Sequence, residues 1–250
     1  GENFGTDPSD ISVSFNGTPA EFELVDESTI VATTPADYQT GSVTVTIHGY
    51  TMTGGAMFNP NSKGDVTVLY LQNYKQPFAK ANDESWKNGE WWTPAVWNQN
   101  AASFNAKGNT TVSGMQYKSE EGLTLAFQNG WDKEAYTNGK MWQVATLRPG
   151  KYRLEVTYAY TLVVTDAGNF ISVLIAKGDS ESDIPNVADL EQLNGVYVAY
   201  DKMGTANDSG TLVTPSFEVT ETTDVVIGFL TSLAKGNSYF KVTELKLILE

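Results

Sequence analysis

Four of the six tryptophans in this 250-residue chain, Trp86, Trp91, Trp92 and Trp97, stand within a dozen residues of one another. Lys87, Asn88 and Glu90 interleave them, and Gly89 and Pro94 break any regular pattern, so the stretch reads as a long loop. A loop that gathers large rings is either pinned onto a core or offers a stacking surface to a ligand. A second group follows at residues 127–136, where Trp131 and Tyr136 stand beside Asn129, Asp132 and Glu134. Ring, amide and carboxylate together make the minimal chemistry for a carbohydrate. The ring stacks on the C–H face of the sugar, and the polar groups meet its hydroxyls. The candidate binding residues are therefore Trp86, Trp91, Trp92, Asn129, Trp131, Asp132 and Tyr136. Trp91 and Trp92 are adjacent, so on an extended segment they point to opposite sides and one of them can be buried. Trp97, before an amide-rich turn, and Trp142, at a strand start among apolar neighbours, read as core.

Catalytic chemistry finds less support. The single histidine, His48, follows an alternating strand and reads as a solvated residue on its polar face. A serine-hydrolase triad would need that histidine, and no Gly-x-Ser-x-Gly elbow is present. Glycoside hydrolysis needs only two carboxylates about 5–10 Å apart, which 30 acidic residues do not exclude. Asp179, Glu181 and Asp183 alternate like the oxygen ligands of a calcium loop. Ile184 and Leu190 stand where an EF-hand requires glycine and glutamate, so a solvated acidic loop is the better reading. No cofactor is expected, although a structural calcium is compatible with the sequence.

The formal net charge of −14 opposes nucleic acid and anionic membranes. Cysteine is absent, which removes disulfides, thiolate metal sites and cysteine nucleophiles. No apolar run reaches the roughly 20 residues of a membrane span, and no signal peptide is present.

The elements that must position these residues are strands. Ile11, Val13 and Phe15 alternate with serines, Val43, Val45 and Ile47 with Thr44, Thr46 and His48, and Tyr152, Leu154, Val156 and Tyr158 with polar residues. In the apolar run Tyr239–Leu249, Phe240 and Val242 are out of phase with Leu245, Leu247 and Leu249, and a β-bulge near Thr243–Glu244 would repair the mismatch. Helical spacing is confined to 186–193, one or two turns at most. The chain is expected to be all-β, a small immunoglobulin-like sandwich (1–60) followed by a larger jelly-roll sandwich (65–250). The polar, turn-rich residues 59–64 are the expected linker.

Residues 1–58 resemble the immunoglobulin-like IPT/TIG family through Gly1-Glu2-Asn3-Phe4-Gly5, Val13-Ser14-Phe15-Asn16-Gly17, Ser28-Thr29-Ile30-Val31-Ala32, Pro35 and Gly41-Ser42-Val43-Thr44-Val45-Thr46. The family's first strand, which precedes the Gly-x-Asn-Phe-Gly turn, is missing here. Residues 65–250 resemble, more loosely, the terminal galactose-binding-like domains of Bacteroidota surface lipoproteins that accompany glycan-uptake systems. That resemblance runs through Leu69-Tyr70-Leu71, Thr93-Pro94-Ala95-Val96-Trp97, Asn138-Gly139-Lys140-Met141-Trp142-Gln143, Leu147-Arg148-Pro149-Gly150-Lys151-Tyr152 and Ile227-Gly228-Phe229-Leu230. It implies a non-catalytic spacer-plus-binder at the outer face of the outer membrane, lipid-anchored upstream and capturing poly- or oligosaccharide for a neighbouring transporter. An adhesin-type module that binds a protein is the alternative, and a glycoside hydrolase or a fragment of one is the third.

Overall fold

The computed structural model describes residues 1–57, 59, 63–81, 91–104, 113–129, 135–163, 168–204, 208–234 and 238–250. The chain is all-β and divides into two compact units, Gly1–Leu69 and Tyr70–Glu250. Residues 65–69, placed with the second domain by the sequence reading, group with the first. Asn59, the first residue of the expected linker, is buried and held by Thr40 and by the carbonyl of Tyr38.

The first unit contains β1 (Ile11–Phe15), β2 (Thr18–Ala20), β3 (Phe22–Asp26), β4 (Thr29–Ala32), β5 (Gly41–Ile47), β6 (Tyr50–Met57) and β7 (Gly64–Asp65). A sheet of order β2-β1-β5-β6 and the β3–β4 hairpin enclose a small core of Val13, Phe15 and Tyr38. The alternation read from Ile11, Val13 and Phe15 is the observed one, since all three are buried and Ser12 is exposed. His48 departs from its expected place on a strand face. With φ of 48° it forms, with Gly49 at 83°, the tight turn between β5 and β6, the left-handed pair that a two-residue hairpin requires.

The second unit begins with α1 (Thr67–Tyr70), a single turn that starts in the first, and its described residues form twelve strands. These are β8 (Trp91–Trp92), β9 (Asn98–Gln99), β10 (Ser113–Lys118), β11 (Gly122–Asn129), β12 (Tyr136–Leu147), β13 (Gly150–Tyr158), β14 (Phe170–Lys177), β15 (Val198–Lys202), β16 (Gly210–Val213), β17 (Phe217–Val219), β18 (Thr223–Leu233) and β19 (Ser238–Leu249). Two further short helices are α2 (Ala101–Phe104) and α3 (Leu190–Leu193), the latter at the end of the stretch with helical spacing. One sheet runs β16-β13-β19-β11-β10-β8, with β17 also pairing β13, and the other runs β15-β14-β18-β12-β9. Their inner faces meet through aromatic contacts. Phe127 of the first sheet lies 4.9 Å from Phe229 of the second, and Phe240 lies 6.4 Å from the same ring. Trp97 packs 5.7 Å from Phe229 and donates its indole N–H to the carbonyl of Asn73, a core role as its surroundings in the sequence suggest.

The bulge in β19 is present. Thr157 pairs with Glu244 and Tyr158 with Val242, so Thr243 is the extra residue. That single insertion turns Phe240 and Val242 to the same interior as Leu245, Leu247 and Leu249, all of them buried.

Candidate functional site

Among the described residues, Trp91, Trp92, Asn129 and Tyr136 do not form one exposed surface. Trp86, Trp131 and Asp132 lie outside the described residues. Trp91 and Trp92 are not loop residues but a two-residue edge strand, with Trp91 opposite Gln116 and Trp92 opposite Met115. Their rings therefore leave opposite sides of the sheet, as adjacent strand residues must. Trp91 is only 5% exposed, so its ring is turned onto the sheet instead of standing free. Trp92 is half-buried, with the Lys80 ammonium 6.0 Å from its ring centroid. Asn129 and Tyr136 are likewise ends of strands and not parts of a loop. Asn129 is fully buried and donates to the carbonyl of Leu233. The Tyr136 hydroxyl meets Thr231 at 3.1 Å, and burial pushes its phenol pKa well above the ordinary value. These positions correct the reading of Trp91, Asn129 and Tyr136 as exposed contacts.

The two aromatic segments also attach to the sheet far apart. The chain enters β8 at the level of Thr124 and leaves β11 after Asn129, five residues further along. At the strand rise these two points of attachment are about 17 Å apart.

Register brings together a different set of groups, on the outer face of the larger sheet. Directly opposed residues point to the same side, and cross-strand neighbours of this kind have Cβ atoms about 5 Å apart. Trp91, Gln116 and Thr124 are such a row across β8, β10 and β11. Two residues along, Gly114, Ala126 and Lys241 form the next row, and Gln128 faces Tyr239 in the row after that. The Lys241 ammonium pairs with Glu121, in the turn closing the β10–β11 hairpin, so its stem passes along the face at the level of Thr124. The same ammonium lies 5.3 Å from the Tyr239 ring centroid.

Gln116 is 4% exposed and Thr124 is 1% exposed, yet Gln116 Oε1 and Thr124 Oγ1 have no hydrogen-bond partner. A buried polar atom left without a partner costs about 1–3 kcal/mol, and both of these atoms are closed off from solvent. Trp92 Nε1 and Asn129 Oδ1 are also without partners, but they belong to the opposite phase of their strands and are not adjacent in register. Around the Gln116–Thr124 pair stand the half-buried Glu121, Gln128 and Tyr239. Sequence reasoning missed this set because polar residues at alternate strand positions read as an ordinary solvated face. No signal within one strand reveals which of them oppose each other.

The outer face of the smaller sheet is built differently. Trp142, Leu174, Ala176, Val198, Val226 and Leu230 form its surface, and Ile184 and Leu190 of the segment after β14 cover it. Gly228, opposite Trp142, has no room for a side chain, since a Cβ would meet the backbone of Met141 and Trp142. Lys140 fastens the cover. It is 6% exposed and donates to the carbonyls of Ile184 at 2.6 Å and Glu181 at 3.2 Å. Burial lowers its pKa, against the charge of Glu181.

Beside it lies a cavity of about 440 Å³, lined in part by Lys140, Asp183, Asn186, Asp189, Leu193 and Tyr197. Its buried polar groups serve the fold. One Asp183 oxygen accepts from the backbone of Asp179 and Ser180 and from the Ser180 hydroxyl, and the other accepts from the Tyr197 hydroxyl. The Ser180 hydroxyl leads the causes that hold the Asp183 carboxyl below its usual value. The Asp179–Asp183 stretch is thus a turn organised around its own last carboxylate. Among the described residues no group of three acidic or histidine side chains is placed to hold a metal ion. In the first unit, His48 lies 3.1 Å from Asp10 at the surface.

Solved structures similar to the chain include the CBM61 module TmCBM61 in complex with β-1,4-galactotriose, at 9% identity and a TM-score of 0.41, covering 67% of this chain and all of that one. A putative glycoside hydrolase from Bacteroides thetaiotaomicron is 12% identical with a TM-score of 0.44, covering 97% of this chain and 84% of that one. The xylan-binding module CBM15 is 13% identical with a TM-score of 0.32, covering 62% and 96%. Likenesses this distant say nothing about ligand or reaction. No curated protein sequence matches the chain. Residues 1–62 match the IPT/TIG domain, and residues 72–228 match the domain of unknown function DUF5013. That second match spans more than half the sequence, so the chain belongs to the DUF5013 family, with an IPT/TIG domain at its N-terminus.

Proposed function

We propose that the chain is a non-catalytic saccharide-binding protein of the cell surface, in which the outer face of the larger sheet receives a poly- or oligosaccharide. The observation that carries this reading is the part-exposed pair of Gln128 and Tyr239, an amide facing a ring across β11 and β19 on that outer face. A hydroxylated ring can meet the Gln128 amide with its hydroxyls and the Tyr239 ring with its C–H face. The segment that carries Trp86 joins the same sheet at Trp91. The IPT/TIG unit acts as a spacer. A lipid anchor upstream holds the chain at the outer face of the outer membrane, beside a transporter that takes up the captured glycan.

A second reading, an adhesin-type module binding a protein, is favoured by β6 of the first unit. This edge strand exposes Tyr50 at 80%, Met52 at 47% and Met57 at 39%.

Titration calorimetry of the whole chain against a panel of neutral and acidic polysaccharides, with reducing-sugar release measured in parallel, tests the proposal. Saturable binding without release is expected. Failure to bind any member of the panel overturns the saccharide reading, and release of reducing ends overturns the non-catalytic one.

A further inference from the structure

We infer that the cavity beside Lys140 is a second binding site, which takes the terminal ring of a neutral saccharide and holds its hydroxyls through Asn186 and Asp189. The inference rests on the saccharide reading and adds to it a site on the other sheet of the same unit.

The cavity is open to solvent. Its volume of about 440 Å³ lies within the range of small-ligand sites, about 300–1,000 Å³. Of the residues that line it, Lys140 and Ile184 are buried, Leu193 and Tyr197 are half-buried, and Asn186 and Asp189 are exposed. It therefore has a closed floor, a wall with an aromatic ring, and a polar rim. A space of this size admits one end of a saccharide, whereas the middle of a polymer needs a surface to lie on.

The inner groups of the cavity are engaged by the fold and the rim groups are not. Lys140 donates to the carbonyls of Ile184 and Glu181, and Asp183 accepts from Asp179 and Ser180. Among the described residues, the Asn186 amide and the Asp189 carboxylate have no hydrogen-bond partner, and Asp189 makes no capping bond to α3, which it directly precedes. The backbone N–H of Asp189 donates to the Asn186 carbonyl at 3.0 Å, so one turn carries both side chains. The ends of such a turn lie within about 7 Å of each other. Neighbouring hydroxyls of one ring can meet both.

The walls are fastened before any ligand arrives. The Asn138 side chain, on a residue with φ of 54°, accepts from the backbone N–H of Val187, one residue from Asn186. On the other side, the Tyr197 N–H donates to the Leu193 carbonyl at 3.0 Å, and the Tyr197 hydroxyl reaches Asp183 at 3.3 Å. A preformed pocket gives up little conformational freedom on binding.

The lining also selects the ligand. Asp189 only accepts at neutral pH, Asn186 accepts and donates, and Tyr197 with Leu193 offers an apolar wall. A pyranose brings hydroxyls of both kinds and a C–H face. The cavity carries charge of both signs, with Lys140 in the floor and Asp183 and Asp189 above it. An ammonium ligand meets the first and a carboxylate meets the others, each a like charge. A neutral ring meets neither opposition.

The test uses the whole chain with neutral mono- and disaccharides of galactose, glucose, mannose and xylose. Cadaverine and glucuronate serve as charged probes, and titration calorimetry and the thermal midpoint are the readouts. At least one neutral sugar is expected to bind the wild type more tightly than either charged probe. Asp189→Ala should weaken that binding about tenfold or more, the worth of a hydrogen bond to a charged group, and Asn186→Ala about three- to tenfold. Without ligand, both variants should melt within about 2 °C of the wild type, because both side chains are exposed and unengaged.

A chain that binds a polysaccharide but no short sugar overturns the inference and leaves the saccharide reading of the sheet face standing. Short-sugar binding that both variants leave unchanged does the same, since the ring then sits elsewhere. Tighter binding of cadaverine or glucuronate than of every neutral sugar also overturns it. Absence of binding to short sugars and polysaccharides alike defeats the saccharide reading together with the inference.

Discussion

The two sheets of the second unit treat their outer faces in opposite ways. The smaller sheet carries its own lid, apolar against apolar, with Trp142 at the centre and Lys140 and Asp183 engaged by carbonyls and turn groups of the same segment. The larger sheet has buried polar residues in adjacent rows, and two of their oxygens are unmatched. Burial alone does not distinguish the faces, because Lys140 and Lys241 are almost equally hidden. The state of their hydrogen bonds does. On one face the polar groups answer one another within the chain, whereas on the other two buried acceptors go unanswered.

This contrast can be broken, and the largest effect is expected at the covered face. Trp142→Ala should cost about 3–5 kcal/mol of folding stability, the usual range for a buried tryptophan, measured by chemical denaturation. A loss below about 1 kcal/mol would mean that the segment after β14 does not depend on that ring. Trp91→Ala sharpens the comparison from the other side. Its ring is buried at a sheet edge, so about 2–3 kcal/mol should be lost, with any drop in glycan affinity accompanying it. Full stability with weakened affinity would restore the exposed-platform view of Trp91.

Lys140→Met keeps the stem but removes the ammonium donor to the carbonyl of Ile184 and one of the two donors to that of Glu181. About 1–3 kcal/mol should be lost, and the segment 178–197 should exchange its amide hydrogens faster. The smallest expected change is in pH dependence. Asp183 has its folded pKa below the ordinary value, so the unfolded chain binds its proton first as pH falls. Its stabilising contribution is fully present above about pH 4 and is lost as pH drops through the lowered value. Asp183→Asn should flatten that acid limb of the stability curve, and an unchanged limb would show that the turn does not depend on its charge.

Much of the framework is legible in the sequence, because strand alternation is a local signal. The runs at Ile11–Phe15 and Tyr152–Tyr158 have the burial their spacing predicts. The phase break after Val242 located the bulge to within a residue. The site was not legible, for two physical reasons. Trp91 and Trp92 sit among glycine, proline and amides, and a two-residue strand has too few positions to show a period, so their pairing with β10 leaves no local trace. Gln116 and Thr124 are ordinary polar strand residues until the β10–β11 register sets them face to face. Sequence shows which residues share one side of a strand, but the partner across the gap comes only from the assembled sheet.

Thr243 has a consequence for how this strand can change over time. By adding one residue between two interior phases, it acts on β19 as a frameshift acts on a message. Everything downstream is read on the other face. Its carbonyl also accepts from the backbone N–H of Gln76, and Leu245 donates to the carbonyl of Tyr74, so residues 74–76 occupy the lane that β11 vacates. Deleting that one threonine would turn Leu245, Leu247 and Leu249 to the outside and undock the neighbouring segment in the same event. A second change that restores the frame nearby, such as an inserted residue before Leu245, would be needed to rescue it. Substitutions along β19 can therefore accumulate one at a time, whereas changes of length in its second half can persist only in compensating pairs.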